Sequence, residues 1–155
     1  MSNFIAVFGH GDIFYDNLPV MKEIKGDIIS KIENDNFEGI YNGGYGNFDS
    51  ACAYLTKEIK KDYPHFKSYL VLAYPNPKWD EIDKKRINEK FDEHFVPDIG
   101  YVPAKFAISK RNEWIIDNAD YIIFYIDHKW GGAYNAYLYA KRKKKAYKNY
   151  GSLKL

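Results

Sequence analysis

Two glycine-rich turns carry the residues best suited to chemistry in this sequence. Residues 43–49 (GGYGNFD) follow one apolar run, and residues 130–135 (WGGAYN) follow another. Glycines where a strand passes into a helix let the backbone approach a ligand, and the helix directs its unpaired N–H groups at a phosphate. A Gly-Gly pair is also common in simple tight turns, so either turn alone is weak support. The two turns together predict a nucleotide site.

Polar side chains follow the apolar runs that we interpret as strands. Parallel α/β sheets bind ligands outside the carboxyl ends of their strands, so these residues are expected on one rim. They are His10, Asp12, Asn42, Asn47, Asp49, Asn76, Asp127, His128, Lys129 and Trp130. Asp49 lies at a helix start, where the helix dipole alone also favours a carboxylate. His10 is more often a hydrogen-bonding loop residue than a catalyst, because nothing in the sequence identifies its partner.

The elements that must position these residues alternate along the chain. Strands are predicted near 3–8, 38–42, 67–73, 120–126 and 146–147, and helices near 19–32, 48–59, 103–118 and 132–143. Cys52 lies on the apolar face of the second helix and is predicted to be a core residue. Such alternation requires crossover connections. The predicted fold class is α/β, a Rossmann-like three-layer fold with a mostly parallel sheet flanked by helices, in one domain spanning 1–155.

The charged stretch from Lys78 to Gly100 interrupts this alternation. It predicts an inserted short helix and an edge strand at 93–96, and whether the segment acts as a lid is left open.

Composition excludes several classes of protein. The net charge of +2 disfavours a nucleic-acid binder, and the basic run 141–145 is interpreted as a solvated last helical turn. A lone cysteine excludes an internal disulfide, and we find no signal-peptide pattern and no apolar stretch of membrane-spanning length. We therefore expect a cytoplasmic protein with no membrane partner, no cofactor and no metal. Whether it forms a homo-oligomer is left open.

The order of motifs resembles the SLOG superfamily, whose members are related to the lonely-guy phosphoribohydrolases and to the DNA-processing Smf proteins. The resemblance rests on the Gly-His after the first strand, the turn at 43–51, the segment PAKFAISKRNEWIIDNADY at 103–121 and the HKWGGA at 128–133. It implies a fold that binds nucleotides or nucleotide-derived molecules, which some branches cleave at the N-glycosidic bond. It also implies a pocket role for Arg111, which matches the arginine of the lonely-guy enzymes.

The lonely-guy catalytic motif is incomplete in this chain. Leu138 occupies the place of the glutamate, Asn135 that of the threonine and Tyr134 that of the third glycine. Cleavage of an N-glycosidic bond requires a negative group beside the cationic transition state, which leucine cannot supply. We therefore predict a sensing or sequestering module, with bacterial or phage conflict as one setting for it. The alternative is a nucleotide N-glycosidase in which Arg111 holds phosphate and Asp49 stabilises the sugar cation.

The predicted ligand-binding set combines the turns, the rim and the residues implied by the resemblance. It comprises Gly9, His10, Gly43, Gly44, Gly46, Asn47, Asp49, Arg111, Asn112, Trp130, Gly131 and Gly132.

Overall fold

The computed structural model describes residues 3–16, 18–75 and 78–155. Its strands are β1 (Asn3–Gly9), β2 (Phe37–Asn42), β3 (Lys67–Val71), β4 (Glu93–Phe95), β5 (Tyr121–Tyr125) and β6 (Ala146–Asn149). Its α-helices are α1 (Pro19–Asp35), α2 (Asn47–Ile59), α3 (Glu81–Lys90), α4 (Ala107–Asn118) and α5 (Gly132–Arg142). A short 3-10 helix at Ala104–Phe106 precedes α4, so the helix predicted from Pro103 begins as a separate turn.

The strands form one sheet in the order β4-β3-β2-β1-β5-β6, and every pairing is parallel. The chain runs outward from β1 to β4 and then returns to place β5 on the other side of β1. The order therefore reverses between β1 and β5, and a crevice opens there at the carboxyl ends of the strands. The predicted α/β Rossmann-like fold is confirmed, and the sheet is entirely parallel.

Helices cover both faces of the sheet because its central strands are apolar on both faces. Ile24 and Ile28 of α1 and Phe48 and Cys52 of α2 pack in one core cluster with Ile5 of β1. The opposite cluster joins α4 and α5 to the other face, through Ile115, Ile116, Ala136 and Ala140. Cys52 is fully buried, which agrees with its predicted core position.

The segment between β3 and β4 carries a helix without a buried face. Its helix, α3, has no buried residue, and β4 pairs in parallel with β3 as the edge strand. Among the described residues no helix is both long and apolar enough to cross a membrane.

Candidate functional site

A cavity of about 500 Å³ occupies the crevice between the carboxyl ends of β1 and β5. Both glycine turns and one face of α4 contribute to its wall. Its lining comprises Phe8, Gly9, His10, Gly11, Asp12, Gly43, Tyr45, Gly46, Asp49, Ile108, Arg111, Asn112, His128, Trp130, Gly131, Gly132 and Ala133.

The first glycine turn is fixed by close backbone packing. Gly46 has φ of 91°, and a Cβ placed on it would lie 2.6 Å from the Cα of Gly11. The amide of Asn47 donates to the carbonyl of Gly11 at 3.0 Å, so this turn is bonded to the loop that follows β1. Asn42 braces the turn from below, since its Oδ1 accepts from the Gly44 amide at 2.7 Å and its Nδ2 donates to a carbonyl of α2 at 2.8 Å. Gly46 therefore serves the packing of this turn against the loop that follows β1.

The second glycine turn has the same conformation but is open. Gly131, the residue before α5, has φ 92° and ψ 177°, and Gly46 before α2 has φ 91° and ψ 178°. A Cβ on Gly132 would meet no atom within 4 Å. No side chain caps the start of α5, and the amides of a helix's first turn have no intrahelical acceptor. The second turn therefore offers N–H groups to the cavity.

Arg111 is a buried cation in the wall of the cavity, with 4% of its surface exposed. Its Nη1 donates to the carbonyls of Gly43 and Val71, both at 2.9 Å, and its Nε donates to Oδ1 of Asn112 at 2.9 Å. Within the described part of the chain, Nη2 has no hydrogen-bond acceptor among protein groups. Burial lowers the pKa of Arg111 from its ordinary value, while the Asp49 carboxylate raises it. The guanidinium thus holds the first turn through Nη1 and leaves Nη2 without a bond to another described residue.

Asp49 is a buried carboxyl in the first turn of α2. Its Oδ2 accepts from the Tyr45 amide at 2.9 Å. Burial raises its pKa from 3.8 to about 7, although the Tyr45 N–H and the charge of Arg111 both act to lower it. Asp49 therefore exists in both protonation states near neutral pH, which suits an acid or a base in a site.

Three rings are stacked along another wall of the cavity. His10 stacks on His128 with centroids 3.8 Å apart, and His128 stacks on Trp130 at 3.5 Å. The Nε2 of His10 accepts from the Asp127 amide at 2.8 Å, and burial and then His128 lower the pKa of His10. This bond requires Nε2 to be unprotonated. Trp130 ends the stack with 67% of its surface exposed.

The C-terminal segment holds the loop that carries this stack. Asn149 accepts from the Ile126 amide at 2.9 Å through Oδ1 and donates to the carbonyls of Ile126 and Leu153 through Nδ2. Oδ1 of Asp127 accepts from both the amide and the hydroxyl of Ser152. Asp127, expected on the rim from the sequence, is thus engaged in fixing this loop.

Most of the predicted ligand-binding set lines one cavity. These residues are Gly9, His10, Gly43, Gly46, Asp49, Arg111, Asn112, Trp130, Gly131 and Gly132. Gly44 and Asn47 do not line it. A Cβ on Gly44 would point at Leu70, and Asn47 faces a separate groove between α1 and α2. Asn76 lies outside the described residues.

Tyr45 and Ile108 also line the cavity but were absent from the predicted set, and their signals were the position of Tyr45 next to Gly46 and of Ile108 one helical turn before Arg111. His128, which was expected on the rim but not included in the ligand-binding set, lines the cavity as well. Leu138 lies in a neighbouring groove between α4 and α5. In the described ranges, no three His, Cys, Asp or Glu side chains are grouped so as to hold a metal ion.

Comparison with known proteins relates the chain to one family. A family model for YpsA, the YspA SLOG family, matches residues 6–155. The SPbeta prophage-derived protein YoqJ of Bacillus subtilis is 26% identical over 147 residues, which cover 80% of this chain and 84% of that protein.

Solved structures share the fold at low sequence identity. DNA processing protein A from Helicobacter pylori superposes with a TM-score of 0.64 at 14% identity, over 95% of this chain and 64% of that one. The molybdenum cofactor carrier protein from Chlamydomonas reinhardtii superposes with a TM-score of 0.52 at 12% identity, over 96% of this chain and 76% of that one. This chain therefore spans slightly under two thirds of the bacterial DNA-processing protein. Because the family match covers nearly the whole sequence, the protein belongs to the YspA SLOG family, and the superfamily predicted from the order of its motifs is confirmed.

Proposed function

We propose that the cavity between β1 and β5 binds a nucleotide or a nucleotide-derived small molecule. The observation that carries this proposal is the meeting of Arg111 and the open start of α5 in one cavity. Both groups favour an anion, and they lie at the strand-order reversal where α/β sheets bind ligands.

An anionic group of the ligand is expected to bind at the Gly131–Gly132 turn. The absence of a side chain at Gly132 leaves room for phosphate oxygens to reach the first amides of α5. Nη2 of Arg111 is free of protein acceptors within the described ranges and supplies a charged donor. Charge-assisted hydrogen bonds are about twice as strong as neutral ones, so a phosphate is favoured over an uncharged group.

A planar base or a similar ring is expected to stack on Trp130. His128 covers one face of the indole, whereas much of the residue is exposed. Stacking on an aromatic side chain tolerates different bases and is worth about 1–3 kcal/mol. The exposed indole therefore favours ligands with a planar ring, and discrimination among different bases depends on other contacts in the cavity.

The proteins of similar fold include one that binds nucleic acid and one that carries a small molecule. The Helicobacter protein binds single-stranded DNA, and the Chlamydomonas protein carries the molybdenum cofactor. The net charge of +2 is therefore an insufficient reason to exclude nucleic acid. A role in sensing or sequestering a nucleotide signal during phage conflict fits the prophage origin of the Bacillus relative.

A thermal-shift screen tests the proposal with the wild type and two valine variants. The ligands are nucleoside mono-, di- and cyclic phosphates and ADP-ribose derivatives. Gly132→Val places a side chain in the space proposed for phosphate, and Gly26→Val is the matched control. Gly26 lies in α1, and a Cβ there also meets no atom within 4 Å.

We expect at least one ligand to stabilise the wild type and the Gly26→Val protein but not the Gly132→Val protein. A ligand at one hundred times its Kd stabilises by about 2.7 kcal/mol, which is readily measured. Equal stabilisation of all three proteins would place the ligand elsewhere, and the absence of any stabilising ligand would contradict the proposal.

A further inference from the structure

The two glycine turns of the cavity share a backbone conformation but differ in charge. Gly46 and Gly131 precede α2 and α5 with nearly identical φ and ψ angles. Asp49 stands three positions after Gly46, in the first turn of α2, whereas Tyr134 stands three positions after Gly131. The start of α2 therefore already carries an acidic group beside its amides, and the start of α5 does not.

The Asp49 carboxyl has one oxygen that is bonded to the protein and one that is not. Oδ2 accepts from the Tyr45 amide, and Oδ1 makes no hydrogen bond to another described residue. Asp49 forms no salt bridge within the described part of the chain, although the positive charge of Arg111 lies close enough to act on it. The residue is only 7% exposed and lines the cavity. Since a buried acceptor without a partner is costly, Oδ1 is suited to a donor that a ligand supplies.

A hydroxyl is the ligand group that best fits this oxygen. A phosphate would place a second negative charge beside the carboxylate, and the two charges would repel each other. A sugar O–H donates to a carboxylate and adds no charge, and carboxylates bind ribose hydroxyls in this way at dinucleotide sites of α/β folds. The phosphate of a nucleotide is therefore expected at the start of α5, and its sugar at the start of α2.

The spacing of the strands lets one nucleotide reach both helix starts. α2 follows β2 and α5 follows β5, and β1 lies between these two strands. Adjacent strands are about 4.8 Å apart, so the ends of β2 and β5 are about 10 Å apart. In a ribose 5′-phosphate, five bonds of about 1.5 Å join the phosphorus to the 3′ oxygen. A hydrogen bond of about 3 Å at either end completes the span.

We propose that Oδ1 of Asp49 accepts a hydrogen bond from a ribose hydroxyl, so that the cavity selects ribonucleotides over nucleotides that lack the 2′ and 3′ hydroxyls. The inference rests on the proposed function, because a nucleotide must first occupy the cavity. A ligand without these hydroxyls would leave the buried carboxylate unpaired, and such a loss discriminates strongly between ligands.

Isothermal titration calorimetry with matched pairs of ligands tests this inference. The four ribonucleoside 5′-monophosphates are compared with their 2′,3′-dideoxy counterparts, which keep the base and the phosphate. The measurements are made at pH 8, where the carboxyl of Asp49 is mostly ionised because burial raises its pKa only to about 7.

Two asparagine variants at matched helix positions complete the experiment. Asp49→Asn removes the negative charge and still offers an oxygen to the Tyr45 amide. Asp83→Asn is the matched control, because Asp83 also accepts from a backbone amide in the first turn of its helix, α3, and lies outside the cavity lining.

We expect at least one ribonucleotide to bind wild type and Asp83→Asn about 10- to 100-fold more tightly than its dideoxy counterpart. Asp49→Asn should reduce this ratio to about fivefold or less, because a bond between neutral groups replaces a bond to a charge. Affinity for the dideoxynucleotide should not fall in either variant, which shows that both proteins are folded.

The outcomes separate this inference from the proposed function. Equal binding of ribo- and dideoxynucleotides by wild type would overturn the inference and leave the nucleotide cavity intact. A ratio that Asp49→Asn retains in full would also overturn it, because another group would then bind the hydroxyls. Asp12 is the other carboxyl of the cavity lining, and loss of the ratio in Asp12→Asn alone would reassign the contact to it. If wild type binds no nucleotide at all, the inference and the proposed function fail together.

Discussion

Asp49 should make the stability of the protein fall as the pH rises through neutrality. Its pKa is raised to about 7 in the folded protein, because burial disfavours the charged form. In the unfolded chain the ordinary value of 3.8 applies. The folded state therefore binds this proton more tightly. The resulting stabilisation is fully present below about pH 4 and is lost as the pH rises through 7.

The magnitude follows from the size of the shift. A difference of about three pKa units, at 1.36 kcal/mol for each unit, corresponds to about 4 kcal/mol over the whole range. Between pH 5 and pH 8 the expected part is about 3 kcal/mol. For a protein of this size, that change lowers Tm by roughly 6–12 °C.

Urea unfolding of wild type and Asp49→Asn at pH 5, 6, 7 and 8 measures this contribution. The asparagine Oδ1 still accepts from the Tyr45 amide but does not titrate. The difference between the free energies of unfolding of wild type and Asp49→Asn at each pH cancels the contributions of the other titrating groups, including His10. The lowered pKa of His10 acts in the opposite direction, since acid must charge its buried ring.

We expect the free energy of unfolding of wild type, relative to Asp49→Asn, to fall by about 3 kcal/mol from pH 5 to pH 8. Parallel curves across this range would show that the carboxyl is ionised throughout, and the argument from burial would fail.

Two further predictions concern the first glycine turn. Asn42→Ala should lower the free energy of unfolding by about 2–4 kcal/mol, because the Gly44 amide and the Asp49 carbonyl each lose a hydrogen-bond partner. A loss under 1 kcal/mol in urea unfolding would show that the Asn42 side chain does not hold the turn in place. Gly44→Ala should destabilise more than Gly100→Ala, because both glycines have positive φ but only Gly44 has a side chain in the way, Cδ1 of Leu70 at 2.5 Å. Equal losses of stability in the two alanine variants would show that Leu70 moves aside at no cost.

The sequence predicted the strands and helices well because each is marked by a local pattern. Buried parallel strands are continuous apolar runs, and Pro19 begins a helix at its first position. No local pattern in the sequence signals where the 3-10 helix at Ala104–Phe106 ends and α4 begins, so these three residues were assigned to the helix that follows them. Local patterns thus fix the element types, whereas their ends depend on packing.

The candidate site could be predicted only in part, because it depends on directions in space. Gly44 was included in the predicted site because it belongs to the first glycine turn. In the structure, a Cβ on Gly44 would point at Leu70 and away from the cavity. The stack of His10 on His128 joins two loops 118 residues apart in the chain, and no spacing rule predicts it. Net charge also concealed the uneven distribution of charge along the chain, since residues 128–155 contain eight Lys or Arg and all the Asp and Glu residues lie in the first 127 residues.

The remaining question is catalysis, and we predict that the protein releases little free base from nucleoside 5′-monophosphates. Leu138 stands where the lonely-guy enzymes carry their glutamate, and its position is in the α4/α5 groove, outside the cavity lining. Loss of a group aimed at developing charge costs on the order of a hundred- to thousandfold in rate. Asp12 and Asp49 both line the cavity and are the carboxyls that could replace it, and Asp49, whose charge interacts with Arg111, is the first candidate.

Chromatography of the products from wild type and Asp49→Asn decides between the two functions. A binding module should give the same background release of base in both proteins. Turnover by wild type that disappears in Asp49→Asn, while nucleotide stabilisation persists, would establish the glycosidase instead. Its rate should then follow a titration near pH 7, because the buried carboxyl of Asp49 changes its charge there.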